Sequence, residues 1–243
     1  MKNASLIIIG DEILTGKVKD ENSFVFANAM FNRGVKVGRI EVIPDDISII
    51  AETINTLRTC FDYVCTSGGV GPTHDDKTFD GVAEAFNRPL KAHDEAISYF
   101  IQAQERAGRG SALSAAQKKM LILPYPCEVY FVEPMWLPLV RVENVFIFPG
   151  VPLLFEKSVL GLCSLFEGGQ FFRRIIYTDR AEAVIADDLS RTQEKFNTVS
   201  IGSYPQIPRL SYGVMVTIEG TSEDLVERAT EELVPLIEGR INQ

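Results

Sequence analysis

Two histidines and one tryptophan are all that 243 residues contain, and the four cysteines, Cys60, Cys65, Cys127 and Cys163, nowhere stand in a pair with two residues between them. That absence removes zinc knuckles and dithiol redox motifs, which need such a pair. The thiols read as reduced core residues of a cytoplasmic protein. Positive charge is also short: 24 Lys and Arg against 33 Asp and Glu leave a net charge of −9, which disfavours non-specific attraction to nucleic acid or an anionic membrane. No apolar run approaches the roughly twenty residues of a membrane span, and the run at 6–9 is too short for a signal-peptide core. What remains is an ordinary globular composition, 46% hydrophobic and 23% charged, enough for one large domain with an appendage or for two small ones.

The stretch 65–78 organises the rest. It reads Cys-Thr-Ser-Gly-Gly-Val-Gly-Pro-Thr-His-Asp-Asp-Lys-Thr, between an apolar run at 61–64 of strand character and a segment at 79–86 with helical apolar spacing. Gly68, Gly69 and Gly71 let the backbone take positive φ and approach a ligand with no Cβ between. The helix N-terminus that follows favours an anion, so the loop reads as a phosphate cradle.

Residues 6–9 predict a strand buried on both faces of a parallel sheet, ending at Gly10-Asp11-Glu12. Between 22 and 32, Phe24, Ala27 and Phe31 fall at helical spacing, and the Phe24, Phe26 and Phe31 cluster reads as helix core instead of a ring-stacking platform. A second strand over 35–43 closes on Pro44-Asp45-Asp46. Ile47, Ile50, Ala51, Ile54 and Leu57 then trace an amphipathic helix with Asp46 or Ser48 as its cap. A third strand, 63–65, enters the glycine loop. Three strand–helix alternations predict a mainly parallel sheet with helices on both faces and right-handed crossovers. Ligands of such sheets bind outside the carboxyl ends of the strands, where all three loops meet.

Beyond the loop, 87–93 reads as a connection, 94–107 as a helix stopped by Gly108, and 111–120 as a further helix. Short apolar runs broken by proline, at 121–123, 129–132, 137–142 and 145–148, predict hairpins and then a core strand. That strand passes through Pro149-Gly150-Val151-Pro152 into a helix over 153–166. A linker at 167–170 separates domains over 1–168 and 169–243. The second reads as β-α-β-β-α, with strands at 173–178, 198–204 and 213–218 and helices at 180–196 and 222–237.

Taken together, Gly10-Asp11-Glu12-Ile13-Leu14, Pro44-Asp45-Asp46, Ser67-Gly68-Gly69-Val70-Gly71-Pro72-Thr73 with Asp76 and Thr78, and Pro149-Gly150-Val151-Pro152 resemble the molybdopterin-binding (MoaB/Mog) domain family. The Gly-Pro-Thr-His-Asp-Asp form of the loop resembles the branch of CinA N-terminal domains and the N-terminal domain of eukaryotic FAD synthases. The segment Gly202-Ser203-Tyr204-Pro205 is similar to the FAD-synthase branch too. The resemblance implies a three-layer α/β/α domain with a mainly parallel sheet, plus a small α+β domain. It also implies metal-dependent pyrophosphate hydrolysis of FAD or ADP-ribose-type nucleotides to mononucleotides. Molybdopterin adenylyl transfer, and a catalytically silent module holding a nucleotide or pterin, stand as alternatives. The deamidase and FAD-forming activities of further domains in those relatives are not carried over. A homo-oligomer is implied. The small domain has a KH-compatible topology without a Gly-x-x-Gly clamp, so no nucleic-acid partner is expected.

Hydrolysing a phosphoanhydride requires neutralising phosphoryl charge and placing a water in line. The backbone of residues 68–71 and the hydroxyls of Ser67, Thr73 and Thr78 are the expected phosphate donors, and the resemblance implies Gly10, Pro72 and Gly150 as further nucleotide- or phosphate-binding residues. Asp45 and Asp76 match the family's two functional acidic positions, which implies metal binding or water activation. Asp11 and Glu12 follow as further metal or nucleotide contacts, and the metal is a divalent ion such as Mg, Mn or Co. Plainer roles compete: Asp76 or Thr78 as a helix cap, Asp45 and Asp46 as turn and cap residues, Lys77 as an exposed loop lysine. His74-Asp75 and His93-Asp94 are too few and too separate for a histidine metal site.

Overall fold

The computed structural model describes residues 1–206 and 211–241. It divides into two compact units, Met1–Gly168 and Gly169–Gln243. The first contains β1 (Asn3–Ile9), α1 (Asp11–Leu14), α2 (Asn22–Asn32), β2 (Lys36–Ile43), α3 (Ile47–Leu57), β3 (Tyr63–Ser67), α4 (Thr78–Ala85), β4 (Leu90–Ala92), α5 (Asp94–Arg106), α6 (Ala115–Lys119), β5 (Ile122–Pro124), β6 (Glu128–Tyr130), β7 (Leu139–Val142), β8 (Val145–Phe148) and α7 (Pro152–Gly161).

Every residue of β1 after Asn3 is buried, and period-two alternation divides them between two cores. Ala4, Leu6 and Ile8 pack with Phe26 and Met30 of α2 and with Phe155 and Val159 of α7. Ile7 and Ile9 pack on the opposite face with Ile50 and Ile54 of α3 and Val82 of α4. Both faces are covered, which is why the run carries no polar alternation. The sheet order is β2-β1-β3-β8-β7-β6. Its first four strands are parallel, and β7 and β6 are added as an antiparallel edge. The expected three-layer α/β/α domain is therefore the fold found. Gly81 sets one close approach in it: a Cβ there would fall 2.4 Å from the Ile50 side chain, so α4 can lie tightly on α3.

Several expectations are corrected. The buried stripe of α2 is Asn22, Phe26, Ala29 and Met30, while Phe24 is 76% exposed. The stripe begins on a polar residue, so counting apolar positions alone picks the wrong face. The connection at 87–93 contains β4, which pairs antiparallel with β5 as a separate two-stranded sheet. The helix expected over 111–120 shrinks to α6, because Ser114 and Gln117 form a capping box that starts it late. The helix after β8 stops at Gly161 and is followed by a short 3-10 turn, Cys163–Leu165. All four cysteines are free, but only Cys65 is a core thiol and Cys60 is exposed.

The second unit contains β9 (Phe172–Thr178), α8 (Glu182–Lys195), β10 (Ser200–Pro205), β11 (Val214–Gly220), α9 (Glu223–Leu236) and an unanticipated β12 (Arg240–Ile241). Its sheet runs β10-β11-β9-β12 with antiparallel neighbours. Ile176, Val216 and Ile218 of the sheet bury against Ile185 of α8 and Val226, Ala229 and Leu233 of α9. Among the described residues no helix is long and apolar enough to cross a membrane.

Candidate functional site

The parallel strands end together, and their loops interlock through glycines. Gly68 has φ +111°, and a Cβ on it would lie 2.1 Å from the Ile9 carbonyl oxygen at the end of β1. Gly69 has φ +63°, and its added Cβ would meet the Thr78 hydroxyl at 2.3 Å and Asp45 Oδ1 at 3.4 Å. A Cβ on Gly150, after β8, would come within 3.0 Å of the Gly68 Cα. Only bare backbone lets the three loops meet at these distances. Gly10 extends the same edge: its N–H donates to the Ile43 carbonyl at 3.1 Å, and a Cβ on it would meet the Glu12 carboxylate at 2.6 Å.

Asp45 sits at the centre. Its Oδ2 accepts the Asp11 backbone N–H at 3.0 Å, and its Oδ1 faces Gly69. Burial, reinforced by the charges of Glu12, Asp11 and Asp75, pushes its carboxyl above the ordinary aspartate value, against the lowering effect of the Asp11 N–H. Neighbouring Asp46 has the other fate. It caps α3, accepting from the Ser48 and Ile49 N–H groups at 3.0 and 3.1 Å. The Ser48 hydroxyl, followed by those amides, holds its carboxyl below the usual range.

Asp76 makes its contacts within its own loop. Its Oδ1 accepts the Gly71 N–H at 2.7 Å, and its Oδ2 accepts both the N–H of Thr73, at 2.8 Å, and the Thr73 hydroxyl. These are the contacts of a clamp that folds 71–76 back on itself, and neither Asp76 nor Thr78 caps α4. Thr78 is fully buried and donates its hydroxyl to the Gly68 carbonyl at 2.8 Å, so it braces the loop instead of offering a phosphate donor. Ser67 is buried, and its hydroxyl accepts from Asn22 Nδ2 at 2.8 Å. The Gly68 N–H is likewise engaged, with the Phe148 carbonyl at 3.2 Å. Among the described residues, the N–H groups of Gly69 and Val70 in this loop, and of Gly150 beside it, have no partner. Pro72 lies exposed at the tip of the loop.

Three further side chains hold the site and were missed or misjudged from the sequence. Lys119, on α6, donates to the Thr73 carbonyl and, at 3.0 Å, to the Asp76 carbonyl. Lys77 donates to the Asp45 carbonyl at 2.9 Å, so it is not an idle surface lysine. Asn22 joins Ser67 to the Gly150 carbonyl through Nδ2, at 2.8 Å to each, while its Oδ1 is buried without a partner. It lines a cavity of about 40 Å³ shared with Glu12, Asp20, Ser67 and Gly150. Only the capping-type position of Asn22 at a helix start could have hinted at it; Lys119 carried no local signal. His74 is fully exposed, and His93 accepts from Ala96 N–H at the start of α5.

Among the described residues no three His, Cys, Asp or Glu side chains converge as a metal-ligand set. The donors near Asp45 are hard carboxylate oxygens, the kind that hold magnesium through one or two carboxylates while phosphate oxygens and water complete its shell. Asp45, with Asp11 or Glu12 as a second carboxylate, fits that arrangement; Asp76 spends three of its acceptor sites within the loop.

Unpartnered backbone N–H groups and a half-buried carboxylate thus lie together at the carboxyl ends of the parallel strands, the edge at which ligands of such sheets bind. Residues 5–164 match the family described as "Probable molybdopterin binding domain", and residues 170–242 match one described as "FAD synthase, middle domain". The chain belongs to the molybdopterin-binding domain family. A "Probable FAD synthase" of Caenorhabditis elegans is 34% identical over 263 residues, covering 99% of this chain and 51% of that protein. A protein of Archaeoglobus fulgidus is 32% identical over 232 residues, covering 96% of each. The crystal structure of the protein CinA from Thermoplasma acidophilum, described as of unknown function, is 29% identical with a TM-score of 0.61, covering 68% of this chain and 98% of that one. Both branches named from the glycine loop are thus among its relatives. The chain spans about half the length of the nematode FAD synthases it matches.

Proposed function

We propose that the chain hydrolyses the phosphoanhydride of FAD or of an ADP-ribose-type nucleotide, releasing two phosphate monoesters, one of them AMP. The observation that carries this reading is the half-buried Asp45 carboxylate, raised in pKa, held by the Asp11 N–H and facing Gly69, whose own N–H has no partner among the described residues. In the reaction a water oxygen bonds to one phosphorus and the bond from that phosphorus to the bridging oxygen breaks. The bridging oxygen leaves with the other phosphate, and the water's proton is released. Backbone donors fixed in advance are suited to the charge that develops on the phosphoryl oxygens. Asp45 is placed to accept the water's proton, and its raised pKa brings it closer to the working range of a general base. One or two of the carboxylates Asp11, Glu12 and Asp45 would hold a divalent ion, which when bound would supply positive charge to the phosphates. The relatives' names, which include FAD synthases, support a nucleotide ligand.

A second reading, a module that binds a nucleotide or pterin without turning it over, is favoured by the engagement of Asp76 in the loop clamp. The two separate cleanly. The protein is incubated with FAD, ADP-ribose, or ATP plus molybdopterin, each with Mg²⁺, Mn²⁺ or Co²⁺, and AMP, pyrophosphate and adenylylated molybdopterin are followed by chromatography. AMP from FAD or ADP-ribose is the expected result. Ligand binding with no turnover under any metal overturns the hydrolase in favour of the module, and adenylyl transfer to molybdopterin would move the protein to that reaction instead.

A further inference from the structure

A second cavity, of about 400 Å³, opens between α5, α6 and the segment before β7. Phe100 and Trp136 form an aromatic wall, their rings edge to face at 5.4 Å, and Gln104, Gln117, Arg106 and Arg109 complete the part of the lining that matters here. Arg106 is paired with Glu133 at 2.8 Å. Arg109 is exposed, and its side chain has no partner among the described residues.

The polarity of the Gln104 amide is fixed by a relay. Ser114 N–H donates to Gln117 Oε1 at 2.9 Å, as half of the capping box of α6. That leaves Gln117 Nε2 to donate, which it does to Gln104 Oε1 at 3.0 Å. Gln104 must then present Nε2 as a donor, and this atom is buried with no acceptor in a residue only 7% exposed. Leaving such a donor unpaired is costly, so a ligand acceptor entering here is favoured. The same short helix ties the cavity to the glycine loop: Gln117 is in the cavity wall, and Lys119, two residues on, holds the loop carbonyls.

We infer that this cavity binds a planar heteroaromatic ring bearing a carbonyl, with a phosphate directed toward Arg109. The aromatic wall suits a flat ring. A donor with its own carbonyl already engaged asks for a ring acceptor, which a flavin carbonyl supplies. A guanidinium suits phosphate. The choice of flavin as the ring rests on the nucleotide reading of the glycine-loop site; the donor and the aromatic wall do not.

The test is a titration without metal or turnover, so its failure and the failure of hydrolysis are separate results. FMN, riboflavin and AMP are each added to the full chain, following Trp136 emission, the only tryptophan signal in the protein, with affinities confirmed by equilibrium dialysis. FMN should bind and quench Trp136. Gln104→Leu should weaken FMN at least tenfold, and Arg109→Ala should weaken FMN about tenfold while leaving riboflavin within twofold. If Gln104→Leu loses its fold by circular dichroism, the exposed Arg109 variant decides alone. AMP binding in place of FMN, absence of quenching, or wild-type FMN affinity in folded variants overturns the inference.

Discussion

The Asp45 carboxylate bridges two strand ends: Oδ2 takes the Asp11 N–H at 3.0 Å, and Oδ1 faces Gly69. Asp45→Asn keeps an oxygen for the Asp11 N–H and removes the charge. AMP release is expected to fall about 10²-fold or more, the usual scale for losing a general base. In the protein without metal, the Asp45 carboxyl should titrate above the ordinary aspartate value of 3.8 when followed by NMR, since burial raises this group. The stability sign is opposite to that of a salt-bridged carboxylate. A raised folded pKa means stability that is fully present below the unfolded value and is lost as pH rises through the folded one. Asp45→Asn should therefore gain thermal stability relative to wild type as pH rises through that window. A variant with full activity would move the proton acceptor elsewhere.

Asp76 separates a clamp from a ligand. Asp76→Ala removes all three hydrogen bonds to Gly71 and Thr73, so the loop should open and AMP release should be lost while both units stay folded. Asp76→Asn retains one carbonyl oxygen and should keep intermediate activity with an unchanged metal requirement. Were Asp76 a metal ligand, the asparagine variant would be as inactive as the alanine one and would need far more metal. Initial rates against metal concentration distinguish the two.

Lys119 braces the same loop from α6 through the carbonyls of Thr73 and Asp76. Lys119→Met keeps the aliphatic stem and removes the donors. It should raise amide hydrogen exchange across 71–78 and lower kcat/KM for FAD about tenfold, with little change in global unfolding. Unchanged exchange in that segment would show that the lysine is not what holds it.

How much of this was legible followed the range of each interaction. The glycine loop, Asp45 and the Asp46 cap could be read because strand, loop and helix start lie within a few residues, and cap chemistry is local. The role of Asp76 was not legible: a carboxylate that closes its own loop and one that holds a metal have the same sequence. Lys119 and Asn22 reach the loop from 43 to 46 residues away, and nothing near either of them marks the partner. The face of α2 was misread for a related reason. Asn22 opens the buried stripe because it ties Ser67 to Gly150, a role that apolar periodicity does not record.

Glycine conformation gives a final contrast within one chain. Gly16 and Gly68 both have positive φ, +69° and +111°, but around Gly16 nothing lies within 4 Å of an added Cβ, whereas at Gly68 it would sit 2.1 Å from the Ile9 carbonyl oxygen. Gly16→Ala therefore incurs only the backbone penalty of about 1 kcal/mol and should leave AMP release intact. At Gly68 the obstruction is backbone at the end of β1, and it cannot swing aside. Relief would have to displace β1 or the Gly68 N–H to Phe148 carbonyl bond at 3.2 Å, which closes β3 onto β8. Gly68→Ala should lower unfolding free energy by about 2 kcal/mol or more and abolish AMP release, since the same shift carries Gly69 away from Asp45. Urea titration with a parallel activity assay checks both. Equal destabilisation of the two variants would mean that conformation alone, and not the close approach of the strand ends, demands glycine at 68.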